Sequence, residues 1–389
     1  MNPSALLRYC EENLERWLTL LQALVDVDSG SRDLEGVATV VDTLEARWRS
    51  LGFTTEKTNT ETGPQLVSRR ASSQNNAPTL LLIGHVDTVF ERGTAALRPF
   101  EVKDGRAYGP GVADMKGGLV AMLALVEALK AQDKLDMANF VVLNNCDEEI
   151  GSPHSRAIVE ALCPGSDAAL IFEPGRADGS IVTERKGGQT YSLRVTGKSA
   201  HAGVNPKLGA SAILALSKKV VALHELNDHK RGLTLNVGVV RGGTRLNIVA
   251  DHATAEIDVR TPTQALAEAI KTAIERIASS EDVPGTGAQL DCLSERAPLV
   301  PTPQTQPLIQ AYRETASELG FTLGCSATGG GSDGNFTAAQ GVPTLDALGP
   351  VGGLYHSAEE YLDVASLPLR VALSALAIPR FVPTLKCSQ

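Results

Sequence analysis

Three short apolar runs limit what this chain can fold into: TLLLIG at residues 79–84, FVVL at 140–143 and AALIF at 168–172. None alternates apolar with polar, so each reads as a strand buried on both faces. Helical patterns lie between and after them, over 117–131 (opened by Gly117 and Gly118) and over 153–162. Strands alternating with helices predict an α/β layer with a largely parallel sheet. In such a sheet the carboxyl ends of the strands share one edge, and ligands bind there.

The residues just past those ends are polar. His85 and Asp87 follow the first run in GHVDTV; Asp147, Glu148 and Glu149 follow the second in NNCDEEIGS; Glu173 follows the third in FEP. Asp114 precedes the glycine-opened helix in YGPGVADMKGG, and His356 stands in GLYHSAEE. Singly, these residues read as a turn aspartate, a helix cap, a solvated strand end or a surface histidine. Brought to one edge, they form a His, Asp and Glu set without cysteine, which suits a divalent metal such as zinc. A carboxylate can bridge two such ions. Metal would also supply the charge that makes three successive acids tolerable beside a core. One of the paired glutamates could then bind metal while the other stays free to carry a proton. His154, His224, His229 and His252 read as surface or structural residues.

A length of 389 residues predicts two domains. From about residue 187 the texture changes, with alternating strands in 189–195, 233–240 and 253–259 and helices over 209–226 and 264–279. This predicts a smaller antiparallel sheet with helices on one face. After about residue 297 the α/β pattern returns, with a helix at 306–319 and a strand near 343–347. The expected division is therefore 1–186 with 297–389 as the larger domain and 187–296 as an insertion. Before the first run, two amphipathic helices are expected over 10–27 and 35–52, and residues 61–75 show no clear pattern.

The net charge is −9 with no long charged block, which argues against nucleic acid or an anionic membrane as partner. No stretch is long and apolar enough to span a bilayer. The charged, helical N-terminus is unlike a signal peptide. Six scattered cysteines without a CxxC pair fit reduced thiols, so a cytoplasmic location is expected.

GHVDTVF, YGPGVADMKGG, NCDEEIGS, FEP, GKSAHAG and YHS, in that order, resemble the M20 family of zinc-dependent metallopeptidases, within it the glutamate carboxypeptidases. The resemblance implies two Zn²⁺ per subunit, with Co²⁺ or Mn²⁺ as substitutes. It assigns His85 and His356 one to each metal, Asp114 as the bridge, and Glu149 and Glu173 as the remaining ligands. It makes Glu148 the general base on a metal-bridging water and Asp87 the acid that orients His85. It implies a cis peptide bond at Asp114–Met115. The insertion would be a dimerisation or lid domain, and His201 in SAHAG a substrate and transition-state donor reaching the partner subunit's site in a homodimer. Arg260 would bind the substrate carboxylate, with Asn247 and the backbone of Gly329, Gly330 and Gly331 as further contacts; Arg296 corresponds to another family arginine.

The expected reaction is cleavage of an amide bond to release a C-terminal amino acid, glutamate first, from a peptide or N-acyl amino acid. One departure keeps an alternative open. Glutamate-specific members carry a lysine where this chain has Ser180, so an aminoacylase or deacylase with a neutral side-chain pocket is the second reading. A non-catalytic scaffold is disfavoured, because every ligand and the base are present. A nucleotide-binding protein is disfavoured too, because no GxGxxG or Walker sequence follows the first strand.

Overall fold

The computed structural model describes residues 2–385, so Cys387 lies outside the described residues. The five described cysteines are free thiols. Two compact units are present. Unit 1 comprises the residues up to Thr183, Pro301–Ala327 and those from Ser332 onward; unit 2 comprises Glu184–Val300 and Thr328–Gly331.

Unit 1 is built on a six-stranded sheet: β1 (Thr54–Thr60), β2 (Gly63–Arg70), β3 (Thr79–His85), β4 (Asn139–Asn145), β5 (Ala168–Ile171) and β6 (Thr344–Leu345). The order is β1-β2-β4-β3-β5-β6. The apolar runs lie at its centre, where β4, β3, β5 and β6 are parallel. The β1–β2 hairpin joins antiparallel to β4. Its β2 strand occupies 63–70, where no pattern was expected. β1, TTEKTNT, is polar and largely exposed as an edge strand should be, so hydropathy gives no signal.

The helices expected at 10–27 and 35–52 are three. α1 (Pro3–Glu12) starts under an Asn2 cap, with Pro3 in its first turn. It breaks at Asn13, whose side chain donates back to the Tyr9 carbonyl. α2 (Leu14–Val25) and α3 (Leu34–Ser50) follow, and all three bury apolar stripes in the core. α4 (Gly118–Ala131) is apolar almost all round and almost wholly buried. Its start lies hard against the end of β5, since a Cβ on Gly118 would fall 2.0 Å from the Phe172 carbonyl oxygen. Only glycine permits that approach. α5 (Ser155–Leu162) follows the acid triplet.

Unit 2 is a four-stranded antiparallel sheet, ordered Thr234–Gly242, His252–Thr261, Gly187–Thr196, Gly287–Arg296. Tyr191, Leu193, Val195, Ile257 and Val259 form a core with Leu216 and Leu223 of the Ala212–His224 helix and Ile270 and Ile274 of the Gln264–Ser279 helix. Its last strand was not among those expected: most of it is exposed, and apolar–polar alternation runs only from Ala288 to Cys292. The fold class is the expected one, a parallel-centred α/β layer with a separate antiparallel α+β unit.

Candidate metal centre and substrate-binding groups

Register brings the polar residues of unit 1 together. His85 pairs with Asn145 across β3 and β4, and Ile83 pairs with Ile171 across β3 and β5. The segments carrying Asp87, Asp147–Glu149 and Glu173 therefore leave the sheet at one edge. Asp114 comes from the irregular segment before α4, across a cis Asp114–Met115 peptide bond. His356 comes from a loop near the C-terminus, at a left-handed φ of 62° that few non-glycine residues adopt.

Asp114 is the centre of the arrangement. Its Oδ1 lies 3.3 Å from His85 Nε2, which also lies 3.6 Å from Glu173 Oε1. Its Oδ2 lies 3.3 Å from His356 Nε2, which also lies 3.3 Å from Glu149 Oε2. Each oxygen of one carboxylate thus faces a different histidine–glutamate pair. Glu148 completes a further cluster, in which its carboxylate, His85 and Glu173 offer atoms all within 4.8 Å of one another.

Donors bound to one zinc at about 2.0–2.1 Å in a tetrahedron stand roughly 3.3–3.4 Å apart. Three of the four spacings match that edge, and the fourth, His85 to Glu173 at 3.6 Å, is slightly longer. Glu149 Oε1 is buried with no hydrogen-bond partner, which is costly unless something positive meets it. The donor set and the orphaned oxygen both fit divalent metal. Electrostatics agree. Burial alone would depress His85, yet bonds to Asp114 and Asp87 raise it well above its ordinary value. Burial alone would raise Asp114, but the two imidazoles hold its carboxyl well below the usual range. His356 is pushed up to about 10 by Asp114 and Glu149, and burial pushes Glu149 up to about 7. The cluster draws positive charge from whatever source is at hand.

The three successive acids do not act alike. Asp147 turns inward, and its Oδ2 accepts the backbone N–H groups of His154 and Ser155 at the start of α5, where the helix dipole favours a negative charge. Glu148 and Glu149 point to the metal cluster. Asp87 lies beneath them, fully buried. Its Oδ1 accepts Glu148 N–H, and its Oδ2 accepts Glu149 N–H and the Ser31 hydroxyl. The Asp87 carbonyl meets His85 Nδ1 at 2.9 Å, with Oδ1 farther off at 3.4 Å. Asp87 thus orients His85 mainly through its backbone, and its side chain holds the two glutamates in place.

Glu360 was not singled out in the sequence. Its buried carboxylate accepts three backbone N–H groups, from Gly111, Ala113 and Asp114, at 2.9–3.1 Å. Burial pushes it up to about 7. Nothing local marks it, because the second glutamate of SAEE reads as a surface acid until its partners are known.

The remaining predicted residues fall in unit 2, at two ends of its sheet. Arg260 and Arg296 both stand opposite Gly188 on flanking strands, so the two side chains leave the same face. The Arg260 guanidinium lies across Gly188 and forms two bonds to Asp258, at 2.8 and 3.0 Å. Its strand is interior, not an edge. Gly331 lies against Arg296, and Arg185 donates to the carbonyls of Gly330 and Gly331. Gly329 has open space where a Cβ would stand. Three arginines and the glycine run therefore share one end. His201 and Asn247 meet at the other, where the Ala202 N–H bonds the Asn247 carbonyl. His201 Nδ1 accepts the N–H groups of Gly203 and Val204, which places the proton of the neutral ring on the outward Nε2.

Comparison with known proteins accords with this geometry. Residues 81–380 match the model of peptidase family M20/M25/M40. The chain belongs to the M20 family. It is 32% identical over 364 residues to carboxypeptidase G2 of Pseudomonas sp. (strain RS-16), covering 92% of this chain and 87% of that one. It is 29% identical to succinyl-diaminopimelate desuccinylase of Dechloromonas aromatica (strain RCB), covering 84% and 89%. In fold it is similar to aminopeptidase PepT from Bacillus cereus ATCC 10987, with a TM-score of 0.77 over 95% of this chain and 98% of that one at 24% identity. The M20 chain is thus a metallohydrolase of the peptidase and amidohydrolase type. No helix among the described residues is long and apolar enough to cross a membrane.

Proposed function

We propose that this M20 chain cleaves the amide bond of a peptide or N-acyl amino acid and releases the C-terminal amino acid, glutamate first, with two zinc ions per subunit. The observation that carries the reading is Asp114, whose two oxygens each face a separate histidine–glutamate pair. His85 and Glu173 would hold one ion, His356 and Glu149 the other, and Asp114 both; cobalt or manganese could substitute. When bound, the ions would polarise the scissile carbonyl and acidify a water. Glu148, which stands within reach of His85 and Glu173, takes the proton of the attacking water and returns it to the leaving amine. Asp87 keeps Glu148 in place. Arg260 binds the substrate carboxylate, with the Gly329–Gly331 backbone beside it; Asn247 contacts the substrate from the other end of the sheet, where His201 donates Nε2–H to the developing oxyanion.

The layout of unit 2 supports a homodimer. Gly188 and Thr196 lie at opposite ends of one strand, about 26 Å apart at 3.3 Å per residue. The Arg260 group sits at the first end and the His201–Asn247 pair beyond the second, so one small substrate needs them from different subunits. Ile213, Leu214 and Val221 on the Ala212–His224 helix, and Val240 on the edge strand, are exposed apolar residues suited to such a contact.

A second reading, release of an amino acid with a neutral side chain, is favoured by one observation. Ser180 is buried against Gly324, and Arg185 donates to glycine carbonyls. Arg176, half-buried, is the remaining nearby arginine. The deciding experiment measures amino-acid release by zinc-loaded protein from N-acyl Glu, Asp, Gln, Ala, Leu and Lys, with Glu148→Ala as control. Glutamate or aspartate preference, abolished in the control, supports the first reading. A neutral preference supports the second, and release unaffected by Glu148→Ala overturns both.

A further inference from the structure

The two histidines of the cluster are held in different ways. His85 is buried, and its Nδ1 is fixed by the Asp87 carbonyl at 2.9 Å. The His356 side chain is 54% exposed, and among the described residues no hydrogen bond reaches its Nδ1. Its ring therefore lacks the outer partner that usually orients a metal-bound imidazole. Its backbone does not settle into place by itself either. Leu354 at φ 55° and His356 at φ 62° both stand in the left-handed region, which a residue with a Cβ keeps only where its surroundings impose it. Holding Nε2 against Asp114 and Glu149 is thus a task for the loop and for what anchors it.

Tyr355, between those two residues, makes the anchor. Its ring packs on the core of unit 1, and its hydroxyl meets two carbonyls, Gly352 at 2.9 Å and Gly175 at 3.1 Å. A phenol has one proton, so the two carbonyls share it. Gly175 follows Glu173 by two residues and is a fixed point. Its N–H donates to the Pro350 carbonyl at 2.9 Å, and its carbonyl also accepts Gly352 N–H at 3.4 Å. Gly349 N–H bonds the Glu173 carbonyl at 2.9 Å. A Cβ on Gly175 would fall 2.5 Å from the guanidinium of Arg370, a buried residue that donates to the Gly179 carbonyl at 2.8 Å. The hydroxyl thus ties the loop carrying His356 to the segment carrying Glu173, donors from opposite halves of the cluster. Beyond His356, Arg98 bonds the Ser357 and Ala358 carbonyls, so the loop is pinned on both sides of the ligand.

We infer that Tyr355 is a positioning residue: its hydroxyl, anchored on Gly175, sets His356 against Asp114 and Glu149 and so secures the metal ion on that side. The inference rests on the proposed two-metal reading. The test titrates Zn²⁺ calorimetrically into metal-free wild type and Tyr355→Phe, with a competing chelator where binding is tight. The substitution removes one hydroxyl and keeps the ring. Wild type should bind two ions. In Tyr355→Phe one of them should weaken about 10–100-fold while the other moves no more than a few-fold. The same substitution is then made in His356→Ala, which keeps the donors of the other ion. A hydroxyl that acts through His356 has nothing left to act on there, so the affinity for the remaining ion should not change. A similar loss in that background would mean that Tyr355 merely supports the Glu173 segment or the fold, and overturns the inference. So does equal binding of two ions by wild type and Tyr355→Phe. Wild type that binds fewer than two ions would sink the two-metal reading and the inference with it, an outcome distinct from the other two.

Discussion

At the scale of single residues, the proposed base Glu148 can be told apart from Glu360, which holds the backbone of the site. Glu148→Gln keeps size and removes the proton acceptor. Zinc affinity should stay within a few-fold while kcat falls by about 10²–10⁴; calorimetric zinc titration beside steady-state rates tests this, and a parallel loss of zinc would make Glu148 a ligand instead. Glu360 touches no metal donor atom, yet its carboxylate takes the N–H of Asp114 and of two residues before it. In Glu360→Gln one carboxylate oxygen becomes a donor facing donors. Outer partners of this kind are worth about 10–100-fold in metal affinity, so competition with a chelator should show a loss of that size. Unchanged affinity with a lower Tm of the metal-free protein would make Glu360 merely structural. The paired glutamates Glu148 and Glu149 stand out in the sequence because they follow a buried strand, and the M20 resemblance assigns the base to Glu148. Glu360 does not stand out, because its partners lie nearly 250 residues away.

At the scale of elements, the site depends on how strands and helices are fastened. The polar edge strand β1 is tied to α3 by Glu45, buried and bridged to Lys57 and Arg49. The hydrogen bond from Lys57 holds the Glu45 carboxyl below its ordinary value, aided by Thr55. A group whose folded pKa is lowered stabilises the protein above its unfolded pKa, about 4.3, and loses that contribution as pH falls through the folded value. Denaturant unfolding should therefore show wild type more stable than Glu45→Gln by a constant margin above about pH 5. The margin should shrink as the pH falls further, and a gap that widens in acid would contradict the assignment. The parallel centre was readable because β3, β4 and β5 each hold an unbroken apolar run. The hairpin and the last strand of unit 2 were not, because β1 and that last strand are mostly exposed and β2 buries the polar Gln65 and Ser68.

At the scale of the whole molecule, the central prediction is catalysis across subunits. His201→Ala and Glu148→Ala homodimers should each be nearly inactive. Co-refolded together, they form mixed dimers in which one site has both residues if His201 serves the partner. Random pairing then restores about a quarter of wild-type activity. No recovery, with mixed dimers verified by differential tagging, would place His201 in its own subunit's site. A monomer by sedimentation would remove the basis for sharing.

The sequence by itself determined the central layer and the donor types: apolar runs ending in His, Asp and Glu prescribe an α/β sheet with candidate metal donors at one edge, since strand burial and donor type are both local properties. Tertiary structure alone decided the rest. It turned Asp147 onto a helix start and Glu148 and Glu149 onto the cluster, though the three are adjacent and chemically alike. It recruited Glu360 to hold Asp114, tied Tyr355 to Gly175, and put Arg260 and His201 at opposite ends of one sheet. Those outcomes depend on which distant groups meet in space, and neither the spacing nor the hydropathy of a chain records that.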